Sequence, residues 1–522
     1  MTLAEFAPLT EAEEAVIAGL GTGHVTVLGD GKLPGPEAGD DRRVRATLIR
    51  WLALGAPGDD DVRLHEKGLR IKGALVVSDG KADPLLGDEG TTGLDLEGCK
   101  LDRDLGLLSC RFLDMALMFG ATVHTLNLQG SRFPGLFADR LNARGGVFLR
   151  GVEAEGEVRL HRSEIGGDLD CVGGRFQNPY DLKKEKTVPG STGKALNVAG
   201  ARVTGAFLWR PGNNGGSNRV EGALDLTAAE IGTICDDPAY WPVPGDLLLD
   251  RCRYGGFTGT GTPVSDKERI RWLDLQDPAR FGGDFWPQPW EQCAKVLREM
   301  GHAEDARAVL IAKEERQRRV RRAQAAAHLS KIRTRIAKAD REASTHDIEA
   351  RLAARSGLVG AWSTLAFLRL RDGLLSALIA YGHRPLRALG WLAGMWLFGA
   401  VLFGVAHGDG GFKPNNAVIL SKPEWAQCAE GGARRGDHPS TLACYHSQPE
   451  AAGYPTFNAA LYSLDTLVPV VDLEVQDYWV PDERVSPATR TYLWVHIATG
   501  WFLALLAVAG VSGLIDTRAT KE

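Results

Sequence analysis

Three features of the sequence predict a mainly β chain: a cytoplasmic parallel β-solenoid, then a helical linker and two transmembrane helices enclosing a re-entrant loop. An eight-residue pattern recurs at steps of 10 or 11 residues, two long stretches near the C-terminus lack Asp, Glu, Lys and Arg, and a short apolar segment lies between them. With 522 residues the chain is long enough for several domains. Its 61 Lys and Arg nearly balance 66 Asp and Glu, which excludes a globally nucleic-acid-binding or acidic disordered class. Its 63 glycines exceed the roughly 7% of average proteins without a Gly-X-Y period, which favours a turn-rich architecture over collagen.

The octets begin at residues 94 (LDLEGCKL), 105 (LGLLSCRF), 116 (ALMFGATV), 126 (LNLQGSRF), 147 (VFLRGVEA), 158 (VRLHRSEI) and 169 (LDCVGGRF), with a weak copy at 136. Apolar residues hold the first position (Leu94, Leu105, Leu126, Val147), the third (Leu96, Leu107, Leu128, Leu149) and usually the eighth (Leu101, Phe112, Phe133, Ile165). Side chains one and three share a face of a strand because strands alternate with period two, whereas a helix would need apolar spacings of three and four. Strands this short bury a face only by stacking, so two octets make one coil of about 21 residues with glycine-containing corners. The pattern resumes at 196 (LNVAGARV), 224 (LDLTAAEI) and 247 (LLLDRCRY), and the intervening polar insertions read as loops at corners. The solenoid is therefore expected over residues 61–285.

Residues 1–60 are expected to form a helical cap, since Val44, Leu48 and Leu52 recur at helical spacing and an open coil end is an exposed sheet edge. Residues 286–345 read as a helical basic linker: a helix, a turn at Gly301 and a second helix, with 11 Lys or Arg against 3 acids between Lys313 and Arg341. Three uses compete for that charge: a solvated helix, attraction to anionic lipid through Arg316, Arg318, Arg319, Arg321, Arg322, Lys331, Arg333 and Arg335, and nucleic-acid binding, which lacks the aromatic interleaving or motif that would support it. Residues 346–385 are apolar but interrupted by Arg369, Arg371 and Asp372. They are expected to lie on the membrane as an amphipathic helix rather than cross it.

The first span is expected over 386–406 and the second over 491–515, each long enough for ~30 Å of hydrocarbon. Trp391, Trp396, Trp494 and Trp501, with flanking Arg384, Arg387, Arg490 and Arg518, fit interfacial anchoring. The basic flanks place both termini in the cytoplasm, including the tail 516–522, and no cleaved leader is expected from the acidic start. This reads as a multi-pass protein of a bacterial inner membrane. Residues 407–490 then face outward and contain Cys428 and Cys444, a candidate disulfide, whereas Cys99, Cys110, Cys171, Cys235, Cys252 and Cys293 read as reduced structural thiols.

Within the outer segment, residues 457–473 are too short to cross as a helix. An apolar stretch with hydroxyls followed by an extended turn, between two spans, is the layout of a re-entrant, pore-like loop. The segment Thr466, Leu467, Val468, Pro469, Val470, Val471 and Asp472 resembles the filter of two-span potassium-channel-type pore domains, Thr-Val-Gly-Tyr-Gly-Asp, with Thr466, Val468 and Asp472 at matching positions. The family's glycines and tyrosine are replaced by Pro469, Val470 and Val471, stiffer residues that argue against a potassium-selective carbonyl ring. The resemblance implies a homo-oligomer, a tetramer by analogy, with Asp472, Glu474 and Asp477, deepened by Asp465, as a cation-attracting mouth and permeant cations as its ligands.

The segments QPWEQCAKVLREMGHAEDARAVL, YGHRPLRALGWL and YSLDTLVPVVDL also resemble a group of uncharacterised bacterial two-span membrane proteins with a cytoplasmic repeat domain, sometimes labelled membrane-associated oxidoreductases. No GxGxxG after a strand, CxxCH or paired transmembrane histidines accompany that label, so no cofactor and no metal are expected and an enzyme is the lesser alternative. The main alternative to a channel is a non-conducting membrane-anchored scaffold that presents the solenoid to a cytoplasmic protein. Asp95, Asp170 and Asp225 stand at the outward second octet position and read as solvated surface. His161 and Glu164 lack a third metal partner, and His496 reads as a neutral histidine bonded to a backbone carbonyl rather than a gate.

Overall fold

The computed structural model describes residues 2–78, 93–178, 193–212, 220–277, 284–342, 348–382, 384, 387–429, 431–436 and 438–511. The chain divides into two compact units, Met1–Arg321 and Arg322–Glu522. Over the whole chain helix (41%) exceeds strand (18%), so the β description belongs to the first unit.

Parallel strands dominate that unit, in one 12-stranded and two 6-stranded sheets. Through residues 105–176 the pairings join residues two octets apart. Leu105 pairs Leu126, which pairs Val147, which pairs Leu169. Leu136, Val158, Leu196, Leu224 and Leu247 line up in a different sheet. The eighth positions form further ladders, Phe133 to Ala154 to Phe176 and Val123 to Ala143 to Ile165. Octet positions one and three are buried, as period-two alternation requires, and after the corner so are positions six and eight, two apart on the next strand, with position six occupied by Cys110, Ala121, Ser131, Leu141 and Val152. Ser131 stays satisfied there by donating to the Leu107 carbonyl (2.7 Å) and accepting from the Cys110 amide (2.9 Å).

Position five makes the corner. Gly98, Ser109, Gly120, Gly130, Arg140, Gly151, Arg162, Gly173, Gly200, Ala228 and Arg251 all adopt φ between 47° and 70°. Glycine is common there because it enters the left-handed region without steric penalty. Position two prepares the turn: the carboxylates of Asp95, Asp170 and Asp225 and the amide oxygens of Asn127 and Asn197 each accept from the backbone N–H two residues on. Such Asx turns are what short polar side chains favour before a corner. The solvated reading is therefore corrected for two of the acids, whereas Asp95 stays partly exposed. Asp170 and Asp225 are buried, and they pair with Arg150 (2.7 Å) and Lys194 (2.6 Å).

The first 60 residues are not wholly helical. Helices α1 (Glu11–Gly19) and α2 (Ala46–Ala53) accompany strands Thr26–Val27 and Arg43–Arg45, which pair with Leu69–Lys72 and Leu75–Val77 and so extend the sheets. Thr10 and Glu13 cap α1 reciprocally. Burial would raise the Glu13 carboxyl, but hydrogen bonds from Arg45 and Thr10 outweigh it and hold the group below its ordinary range. At the other end, α3 (Asp266–Leu273), α4 (Gln288–Glu299) and the start of α5 (Ala303–Glu342) pack over the last strands. Arg269, fully buried, clamps Asp236 with two 2.8 Å bonds and lies 3.5 Å over the Phe257 ring.

The second unit contains α6 (Ile348–Ile379), α7 (Arg387–Gly408), α8 (Ala417–Ser421), α9 (Pro423–Ala426), α10 (Thr441–His446), α11 (Ala459–Leu467), α12 (Val475–Tyr478) and α13 (Pro487–Val511). Two of these, α7 and α13, are long and apolar enough to cross a membrane. Tail residues 516–522, including Arg518, lie outside the described residues.

Candidate functional site

The segment between α7 and α13 folds back on both of them. Asn458 starts α11 by accepting from the Ala460 and Leu461 amides (3.0 and 3.1 Å). The helix stops at Leu467 because proline at 469 forces the preceding Val468 into extended backbone, φ −100° and ψ 107°.

Three polar groups fix α11 in an otherwise apolar seat. Ser463 donates to the Trp396 carbonyl (2.8 Å), and the Trp396 indole donates to the Ala460 carbonyl (2.9 Å). His496, buried on α13, places Nε2 3.1 Å from the Ser463 carbonyl and Nδ1 3.0 Å from the Tyr492 hydroxyl. A carbonyl only accepts, so Nε2 carries the proton and Nδ1 accepts from Tyr492. Tyr462 fills the remaining space edge-on to Phe403 (5.0 Å) and Phe412 (5.3 Å).

Past the helix, the buried carboxylate of Asp465 accepts from the Leu473 amide (2.7 Å) and the Gln476 amide (2.9 Å). It ties the whole turn 468–476 to the helix end. Asp465 is thus a clamp and not part of an open acidic mouth, which corrects its expected role. Asp472, Glu474 and Asp477 are exposed. Asp472 accepts from the Glu474 amide (3.1 Å), and Glu474 takes a left-handed φ of 60°. Thr466 is buried with its hydroxyl donating to the Tyr462 carbonyl (2.7 Å), and Leu467 is buried, whereas Val470 is 89% exposed. The segment named from the sequence therefore splits into a buried half, Thr466 and Leu467, and an outward half from Val470 to Asp472.

An antiparallel pair, Phe412–Pro414 with Trp479–Pro481, closes the base of the turn. Cys428 and Cys444 are joined by a disulfide, and the six other cysteines are free and buried. Burial pushes the Cys110, Cys252 and Cys293 thiols up to about 12 and lowers His446, beside Trp479.

The basic residues named from the sequence divide into ion-paired and exposed ones. Arg316 forks onto Asp274 (2.8 and 3.0 Å), Arg318 pairs with Glu314 (3.1 Å), and Arg322 reaches Asp372 (3.5 Å). Arg319, Arg321, Lys331, Arg333 and Arg335 are exposed. Among the described residues no group of three or more His, Cys, Asp or Glu is arranged to hold a metal ion.

Sequence reasoning missed Gly399, Ser463 and Gly500, the contacts that seat α11. Small residues on α7 and α13 are the available signal, but they are common in apolar helices and point to no partner by themselves. Compared with protein-family models, curated proteins and solved structures, the chain matches none.

Proposed function

We propose that this chain is a subunit of a symmetric homo-oligomeric, pore-loop-type cation channel in a bacterial inner membrane, with the parallel sheets of the first unit forming a cytoplasmic β-solenoid for sensing or assembly. The observation that carries the reading is the turn after α11: Asp465 fixes its backbone from within, yet Val470 and Val471 lie uncovered by their own chain. A rigid turn with apolar side chains pointing away from its subunit suits a shared axis, where sister copies cover the valines and bring the Asp472 carboxylates into a ring. Two crossings do not enclose an aqueous path alone, so the function requires several copies. The stiffness of Pro469, Val470 and Val471 favours a cation path without potassium selectivity.

The cysteine distribution supports the topology. A disulfide between the two apolar helices suits an oxidising outer compartment, and six free buried thiols suit a reducing interior. The ladders joining residues two octets apart support a solenoid.

A second reading, a membrane-anchored scaffold, is favoured by one observation: Asp472 caps the Glu474 amide, an ordinary structural use of that carboxylate. Purified protein in planar bilayers separates the two. Cation current that falls on Asp472→Asn is expected of the channel; no current at any voltage, or a strict monomer in detergent, leaves the scaffold.

A further inference from the structure

We infer that the outer face of α6 docks on an anionic lipid surface. Val359, Trp362, Phe367, Leu370 and Leu374 are each at least half exposed, and at 100° per residue they fall within an arc of about 140° on one side of the helix. The opposite side is the inward one: it holds buried Leu365 and buried Asp372, which pairs with Arg371 (3.2 Å) and Arg322 (3.5 Å). Over this stretch the helix turns Asp372 inward and its aromatic and aliphatic side chains outward, the reverse of a helix in water. Arg369, exposed, stands at one margin of the apolar arc, where a long cationic side chain keeps its stem against acyl chains and its head at phosphates.

Two further observations choose lipid over other occupants. The charge around this helix is mainly positive: residues 322–387 hold twelve Lys or Arg against five acids, and over 356–387, where the apolar arc lies, the single acid is the buried Asp372. Such a surface attracts anionic headgroups and repels a second copy of itself. The arc is also continuous with the apolar helices. Leu375 and Leu378 pack on the cluster formed by Ala388 of α7 and Ala507 of α13, which Leu506 also joins, and the Trp391 indole of α7 donates to the Ala377 carbonyl (3.1 Å). Tryptophan at the start of an apolar helix marks the headgroup level. The end of α6 is therefore tied to that level, with its uncharged face available to the leaflet.

The inference rests on α7 and α13 crossing the bilayer, and the experiment tests both statements separately. The full chain, reconstituted in mixed phosphatidylcholine and phosphatidylglycerol vesicles, carries a nitroxide at Phe367→Cys or, as the control for the span, at Val401→Cys. Both positions are exposed, and the native cysteines are buried or bonded, so labelling is selective. Relaxation by oxygen greater than by a water-soluble nickel chelate at both positions is expected. Nickel access at Phe367 with oxygen access at Val401 overturns the docking alone. Nickel access at both overturns the membrane reading with it. Spin–spin broadening between Phe367→Cys labels without oxygen access assigns the face to a second copy and also overturns the proposal. Arg369→Gln is expected to lower the association of phosphatidylglycerol relative to phosphatidylcholine by about fivefold; an unchanged ratio removes the anionic preference.

Discussion

At Gly98, Gly120 and Gly151 in the first unit a Cβ would meet no atom within 4 Å, but the backbone is left-handed; at Gly399 and Gly500 in the second, a Cβ would lie 2.4 Å from Ser463 Oγ and 1.8 Å from the Leu467 carbonyl oxygen. These corner glycines serve conformation, and the two that seat α11 serve space. The same difference separates the repeated contacts of the coils from the seat of α11. In the first unit a left-handed corner and four buried positions recur every octet, with an Asx turn in five of them, so losing one weakens one corner. In the second, Asp465, Ser463, His496 and the two close-packed glycines each act once, and nothing duplicates them.

The largest effect is expected where the first unit departs from its own periodicity. Arg269→Met leaves Asp236 buried without its cation and is expected to destabilise by about 3–5 kcal/mol. Thermal unfolding of the detergent-solubilised chain measures it, and Asp236→Leu added to Arg269→Met should restore most of the loss, because an apolar pair needs no charge compensation.

Alkali sharpens the comparison next. Cys110, Cys252 and Cys293 have folded values raised to about 12 from the ordinary 9.0, because burial penalises the thiolate. Their contribution is complete below pH 9.0 and declines as pH rises toward 12, since the unfolded thiols lose protons first. Iodoacetamide at neutral pH should label none of the six free thiols until the chain unfolds, and the denaturant needed for labelling should fall steadily above pH 9.0. Ready labelling of the native chain would contradict the burial described.

In the second unit Gly500→Ala drives a methyl into the Leu467 carbonyl, where rigid backbone rather than a flexible side chain must yield. Overpacking of this kind costs about 1–3 kcal/mol. Its signature is local: protease cleavage within 468–476 should accelerate while unfolding of the first unit stays unchanged. Under the channel proposal, conductance should fall as well.

These contrasts explain what could be read from the residues. Positions one, three and eight of the octet were legible because alternation is local, and α7 and α13 because uncharged length is itself the signal. The corner at position five was half hidden: glycine marks it at 98, 120, 130, 151 and 173, but Arg140 and Arg162 occupy the same backbone state without announcing it. Position-two acids looked like surface because a sequence does not show that the next amide but one needs an acceptor. The seat of α11 was legible only at His496, whose expected bond to a backbone carbonyl is the one to Ser463. It joins Gly399, Ser463 and His496 across almost a hundred residues, and each is an ordinary residue in an apolar or polar stretch.

The smallest predicted effect follows from the hidden corner and runs opposite to the usual direction. Arg140 is exposed and holds φ of 56°, a region that costs an L-residue about 1–2 kcal/mol. Glycine removes that strain but adds unfolded-chain freedom worth about 0.5–1 kcal/mol. Arg140→Gly should therefore stabilise by a fraction of a kcal/mol to about 1 kcal/mol, whereas Arg140→Val should destabilise, because a β-branched side chain tolerates this φ least. Paired thermal melts decide between conformation and side-chain contact as the reason for the corner: if Gly and Val were equivalent at 140, the backbone state would not be what the fifth position selects, and the contrast with Gly500, where space alone matters, would collapse.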